Sequence, residues 1–185
     1  MIELVLPSVK YKESFIAATE DMKRHGREGF ISPAVQKFMD YDLARLENDF
    51  ENYIVKPLLD NMNGINLPEG YVAGTDFWII KDGVFVGRIN LRNELTADLL
   101  RHGGHIGYVV VPSYRRQGIV TKALELCLKK AKEKGIEKVL LTCDATNYVS
   151  KHVIEHAMNK SGGYQDVAEK IGETTMLRYW INTLD

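Results

Sequence analysis

The stretch from His105 to Cys143 sets the tightest limit on what this chain can fold into. An apolar run, His105-Ile106-Gly107-Tyr108-Val109-Val110-Val111, leads into the basic and turn-prone segment Pro112-Ser113-Tyr114-Arg115-Arg116-Gln117-Gly118. The period then changes. Ile119, Val120, Ala123, Leu124, Cys127, Leu128 and Ala131 recur at helical spacing, with Lys122, Glu125, Lys129, Lys132 and Glu133 opposite them. Gly135 stands where such a helix would end. Lys138 to Cys143 is short and nearly all apolar, as a strand covered on both faces must be. Strand, helix, strand predicts a right-handed parallel crossover.

The flanking segments extend this unit. Ile2, Leu4 and Leu6 alternate with other residues up to Pro7 and predict a strand, and Phe15, Ile16, Ala18, Thr19 and Met22 predict a helix punctuated by Gly26 and Gly29. Tyr41, Leu43, Leu46, Phe50, Tyr53 and Ile54 place a second helical region between Ser32 and Leu59, with Pro57 marking its end. Asn61 to Gly70 is rich in turn formers and reads as a connector or as a loop lying across a substrate entrance. Thr75 to Lys81 and Val84 to Leu91 form a hairpin about Asp82-Gly83, with one alternation running through Phe85, Gly87, Ile89 and Leu91. Leu95 to Leu100 makes one helical turn, Val149 to Met158 a short helix, and Tyr164 to Lys170 with Thr174 to Asn182 a closing hairpin. The expected architecture is α+β, a single domain over residues 1–185 with one mixed central β-sheet and helices on both faces.

Charge narrows the partners. With 24 basic and 25 acidic side chains in 185 residues, no global field attracts a polyanion, so nucleic acid is not an expected partner. Any bound anion must be caught locally, by amides and a few basic side chains. Cys127 and Cys143 sit in apolar stretches without metal-type pairing, so they read as buried hydrophobes in a reducing cytoplasm, and no metal is expected. Neither a secretory leader nor a bilayer-length apolar segment is visible, which makes the membrane an unexpected location.

The segment from His105 to Thr121 has the makings of an anion trap. A helix N-terminus leaves its first amides unpaired, its dipole adds about half a positive charge, and Gly118 lets backbone approach a phosphate closely. These residues resemble the signature of the GNAT acetyltransferase superfamily: Arg or Gln, two residues, Gly, one residue, then Gly or Ala at the start of the main helix. Arg115 and Gly118 fit that pattern, and Val120 departs from it. Asn147 and Ser150 follow the next strand at the spacing with which the superfamily opens its fourth helix. Gly87 to Arg92, Gly103 to Tyr108 and Arg178 to Ile181 extend the likeness to a bacterial subfamily of predicted acetyltransferases.

The resemblance implies the GNAT acyl-CoA N-acyltransferase fold, acetyl-CoA as cosubstrate, and transfer to a primary amine of a small-molecule or peptide acceptor within a ternary complex. It implies that Val109, Val110 and Val111 line the acetyl and pantetheine path, with Val109 and Val111 offering backbone groups. Arg116, Gln117, Gly118, Ile119, Val120 and Thr121 would hold the phosphates, and Asn147 and Ser150 would touch the pantetheine arm. For the general base the candidates are His105 on the central strand and Glu94 after the hairpin. The tyrosine with which many members protonate the thiolate is replaced by Ile154, leaving Tyr108 and Tyr148 nearby. That substitution keeps a non-catalytic acyl-CoA-binding module open as an alternative, and a homodimer is open as well.

Overall fold

The computed structural model describes residues 1–26 and 33–184, so the expected break at Gly29 and the expected start of the second helical region at Ser32 lie outside the described residues. The chain opens with β1 (Ile2–Val5), a 3-10 turn at Val9–Tyr11 and α1 (Lys12–His25). The helical region expected to run up to Leu59 is divided into α2 (Pro33–Met39), α3 (Leu43–Asn48), a π-helical turn at Glu51–Val55 and α4 (Lys56–Met62). Asp42 starts α3 with extended backbone while its side chain accepts the Arg45 amide. Pro57 lies inside helical backbone, directly after the π-helical turn, and does not end a helix.

After the loop come β2 (Gly74–Lys81) and β3 (Val84–Arg92), then α5 (Ala97–Arg101), β4 (Ile106–Val110) and α6 (Ile119–Glu133). The chain finishes with β5 (Lys138–Asp144), α7 (Tyr148–Ser161), β6 (Gly163–Ile171) and β7 (Thr174–Asn182). Both predicted hairpins form, and the helices lie on both faces as expected.

The strands divide into two antiparallel sheets, β1-β2-β3-β4 and β5-β7-β6. The parallel ladder expected between β4 and β5 does not form. A single junction takes its place: the His105 amide donates to the Leu140 carbonyl at 2.7 Å, and the Leu140 amide donates to His105 Nδ1 at 2.9 Å. A parallel ladder would continue from the Thr142 amide to the His105 carbonyl, but that carbonyl accepts the Arg92 amide of β3 at 2.8 Å, so pairing stops there, and β4 and β5 are left unzipped beyond it.

Two cores share the first sheet. Phe77, Ile79, Ile89 and Leu91 face α6 and α7, whereas Trp78, Ile80 and Phe85 face α1 to α4 together with Val109 and Val111. A register shift at Ile79/Ile80 inserts an extra residue into β3. That bulge moves Phe85 to the α1 side, against the single alternation read from Phe85 to Leu91. Past it the register is regular, so Asp76, Arg88, Asn90 and Arg92 fall on the Trp78 side.

Candidate functional site

The loop between β4 and α6 is built to expose backbone donors. Arg116 (φ 61) and Gly118 (φ 69) both take the left-handed conformation, and a Cβ placed on Gly118 would meet nothing within 4 Å. Only a glycine leaves that space to an incoming group. Gly118 carries no capping side chain, no acid lies in the first turn, and the first helical bond runs from the Lys122 amide to the Gly118 carbonyl. Among the described residues, the amides of Gly118, Ile119, Val120 and Thr121 therefore donate to no protein acceptor. Gln117 fixes the loop: its side chain donates to the Ser113 carbonyl at 3.3 Å and accepts from Lys81 Nζ at 2.6 Å. From α1, Asp21 accepts the Ser113 amide at 3.0 Å and pairs with His25 Nδ1 at 2.8 Å. Burial pushes the Asp21 carboxyl up, but the His25 and Ser113 hydrogen bonds outweigh it and hold its pKa below the usual value.

The gap between β4 and β5 begins beside this loop. The Arg92 amide donates to the His105 carbonyl and the Val111 amide to the Val86 carbonyl, with unbroken register between them. Antiparallel alternation then commits the His105 carbonyl and the backbone of residues 107, 109 and 111 to β3 and turns that of Tyr108 and Val110 toward the gap. The expected use of Val109 and Val111 backbone groups thus shifts by one residue, because parity is set by pairing with β3; Val110 keeps its place. The Arg115 side chain reaches the Val110 carbonyl at 3.5 Å. Across the gap, Asn147 caps α7 by accepting the Ser150 amide at 3.1 Å, and the Ser150 hydroxyl lies 2.7 Å from the Tyr108 hydroxyl. Burial, opposed by the Ser150 bond, pushes the Tyr108 phenol up, so it stays protonated. Ile154 is 1% exposed and belongs to the core.

The two expected bases are placed apart from these groups. His105 is buried at the junction, four residues before Val109, which is about 13 Å along a strand. The Leu140 amide takes its Nδ1 lone pair and so assigns the ring proton to Nε2. Burial, then the Arg92 charge, lowers its pKa from 6.5 to about 4. Glu94 stands exposed in the bend after β3, next to Asn93, which accepts from Lys134.

A third feature lies on the α1 side of the first sheet. A cleft of about 580 Å³ opens between α2 and α4 and is lined by Lys37, Tyr41, Tyr53, Ile54, Leu58 and Tyr71 among others. On the same side of the sheet stands the polar row Asp76, Arg88, Asn90 and Arg92. Arg88 comes within 3.7 Å of Asp76 and sits over the Phe38 ring at 5.4 Å. Arg92 donates to the Gly103 and Gly104 carbonyls. Among the described residues no group of three or more His, Cys, Asp and Glu side chains is placed to hold a metal, and no helix is long and apolar enough to cross a membrane.

Comparison with known proteins matches this arrangement. The acetyltransferase (GNAT) family profile matches residues 37–159. No curated protein sequence matches. Among solved structures, the microcin C7 self-immunity acetyltransferase MccE, in complex with acetyl-CoA and AMP, superposes with a TM-score of 0.64 at 16% identity, covering 98% of this chain and 92% of that one. The structure of yncA from Salmonella typhimurium, with its cofactor acetyl-CoA, gives 0.56 at 15% identity over 100% and 94%. A GNAT-family acetyltransferase from Bacillus anthracis gives 0.57 at 20% identity over 98% and 94%. These likenesses are likenesses of fold; the family match covers most of the chain, which belongs to the acetyltransferase (GNAT) family and is an acetyltransferase by that membership.

Proposed function

We propose that this chain transfers the acetyl group of acetyl-CoA to a primary amine by direct attack, with both substrates bound at once. The observation that carries this reading is the uncapped, acid-free first turn of α6, whose amides open onto the space over Gly118. Four converging donors and a helix dipole suit a pyrophosphate, and the backbone from Arg116 to Thr121 supplies them, with Lys81 tied to the same loop. The pantetheine arm would then run along the unzipped edge of β4, against the backbone of Tyr108 and Val110 and past Asn147 and Ser150. Acetyl-CoA contributes an activated thioester. The fit rests on the solved relatives MccE and yncA holding acetyl-CoA in the same fold.

The protein's share of the chemistry is placement and polarisation. The Tyr108 amide can donate to the acetyl carbonyl oxygen as charge develops there, worth a few kcal/mol by the usual measure of a single oxyanion donor. The acceptor nitrogen bonds the acetyl carbon as the carbon–sulfur bond breaks, and the proton that the amine sheds restores a thiol. The protonated Tyr108 phenol, bridged to Ser150, stands in for the tyrosine that Ile154 replaces. We assign His105 to holding the strand junction, since its free lone pair is already engaged, while Glu94 is left to relay protons through solvent. The shared strand β2 between the two cores supports one domain.

Ile154 at the tyrosine's place favours a second reading, an acyl-CoA-binding module without turnover. Thiol release in the presence of acetyl-CoA and a broad amine panel separates the two. The enzyme reading expects amine-dependent release; tight acetyl-CoA binding with no amine accelerating release would leave the binding module.

A further inference from the structure

We propose that Asp21 of α1 is a positioning residue for acetyl-CoA, the remote cap that holds the phosphate cradle in its binding shape. The inference rests on the acetyl-transfer reading above and assigns the part of the fold that sets the geometry of its cofactor loop. The cradle is preceded by the 3-10 turn Pro112–Tyr114, for which Val111 offers no capping side chain. Within that turn the backbone takes up two amides, Tyr114 donating to the Val111 carbonyl at 2.9 Å and Arg115 to the Pro112 carbonyl at 3.1 Å. Pro112 has no N–H to satisfy. Ser113 is left with the one amide that the turn itself cannot pair, and Asp21 Oδ2 accepts it at 3.0 Å from a helix 92 residues earlier.

The same serine anchors the loop that follows. Its carbonyl accepts the Gln117 side chain at 3.3 Å, and Gln117 stands between Arg116 and Gly118, the two left-handed residues of the cradle. Ser113 is thus gripped on both sides, its amide by α1 and its carbonyl by the loop. Without the first grip the turn is free to shift, and with it the Arg116 to Gly118 side of the cradle, while α6 stays packed in the core. The location of Asp21 argues against a bystander. The residue is 8% exposed and lies beside Phe15, Ala18 and Met22 on α1, where an acid is costly to bury, and a negative charge behind an anion-binding loop opposes the anion. Both oxygens are nevertheless used, Oδ2 by Ser113 and Oδ1 by His25 Nδ1 at 2.8 Å. The helix that carries them is a firm mount: Phe15 packs on Trp78 and Phe85 with ring centres 5.1 and 4.8 Å apart, and Lys23 donates to the Met39 carbonyl at 2.7 Å. Met39 ends α2, which walls the cleft of about 580 Å³ where the reading above leaves room for the acceptor. One helix therefore ties the cofactor loop and the acceptor wall to the same core.

The test is calorimetric titration of wild type, Asp21→Ala and Asp21→Asn with acetyl-CoA. It is joined to kcat/KM for acetyl-CoA and for S-acetylpantetheine, which lacks the phosphates, with the amine that gives the fastest thiol release. Asp21→Ala should weaken acetyl-CoA binding about tenfold, as loss of a charge-assisted hydrogen bond does. The ratio of kcat/KM for the two thioesters should fall by the same factor, with the S-acetylpantetheine value within about threefold of wild type. Asp21→Asn keeps an acceptor of the same shape without the charge and should lose about threefold in affinity and ratio. If Asp21→Ala fails to fold, Asp21→Asn carries the comparison. Unchanged affinity and ratio in the folded variant, or equal losses for both thioesters, as a role confined to the fold would give, overturn the inference and leave acetyl transfer standing. A wild type that binds no acetyl-CoA, prefers neither thioester, or releases no thiol with any amine overturns the reading above itself.

Discussion

At the scale of single residues, His105 shows how a side chain that suits catalysis by type can serve the fold by geometry. Its folded pKa of about 4 lies below the ordinary 6.5 because burial, and then Arg92, disfavour the charged ring. The unfolded chain therefore takes up a proton that the folded one refuses. Stability from this group is complete above pH 6.5 and is lost as the pH falls from there towards 4, to a total on the order of 3 kcal/mol. Urea unfolding between pH 4 and 7 should show a steeper acid-side decline for wild type than for His105→Gln; parallel curves would mean that the ring is not sheltered. Of the candidate site, Gly118 was legible because a glycine after a basic loop and before a helix is a local pattern. The gap-facing amides of Tyr108 and Val110 were not, since the parity of a strand depends on a partner elsewhere in the chain. Asp76 was hidden for a similar reason: only the hairpin register brings it beside Arg88 and Asn90.

At the scale of elements, the site depends on two strands that touch at one end and no further. Gly104 sits at that end with φ +59, and a Cβ on it would lie 2.3 Å from the Leu140 carbonyl oxygen, which is backbone and cannot step aside. Gly104→Ala should lower stability by about 2 kcal/mol or more and weaken acetyl-CoA binding as β4 and β5 shift apart. A thermal melt and a binding titration check this, and an unperturbed variant would contradict the junction. Long periodic elements such as α6 and short ones with strong turns such as β2 and β3 were plain in the sequence, as their signals are local. The division of the region before Leu59 was not. Its apolar residues keep helical spacing through α2, α3, the π-helical turn and α4, because each piece packs one side onto the same core, so the pattern survives breaks in the backbone.

At the scale of the whole molecule, the first sheet carries α1 to α4 on one side and α6 and α7 on the other, and on the proposed reading the acceptor belongs to the first side and the cofactor to the second. This division explains why the sequence spoke clearly of the cofactor and faintly of the acceptor. Phosphate binding draws on consecutive backbone amides, whereas the cleft is assembled from side chains on α2, the π-helical turn, α4 and the loop that follows it. The account's central claim is the phosphate cradle over Gly118, and calorimetric titration with acetyl-CoA tests it most directly, with wild type compared against Gly118→Glu and the neutral, left-handed-tolerant Gly118→Asn. Wild type should bind in the micromolar range, Gly118→Asn should retain most of that affinity, and folded Gly118→Glu should lose about a hundredfold or more. Equal affinity in all three proteins, or no binding to wild type, would contradict it.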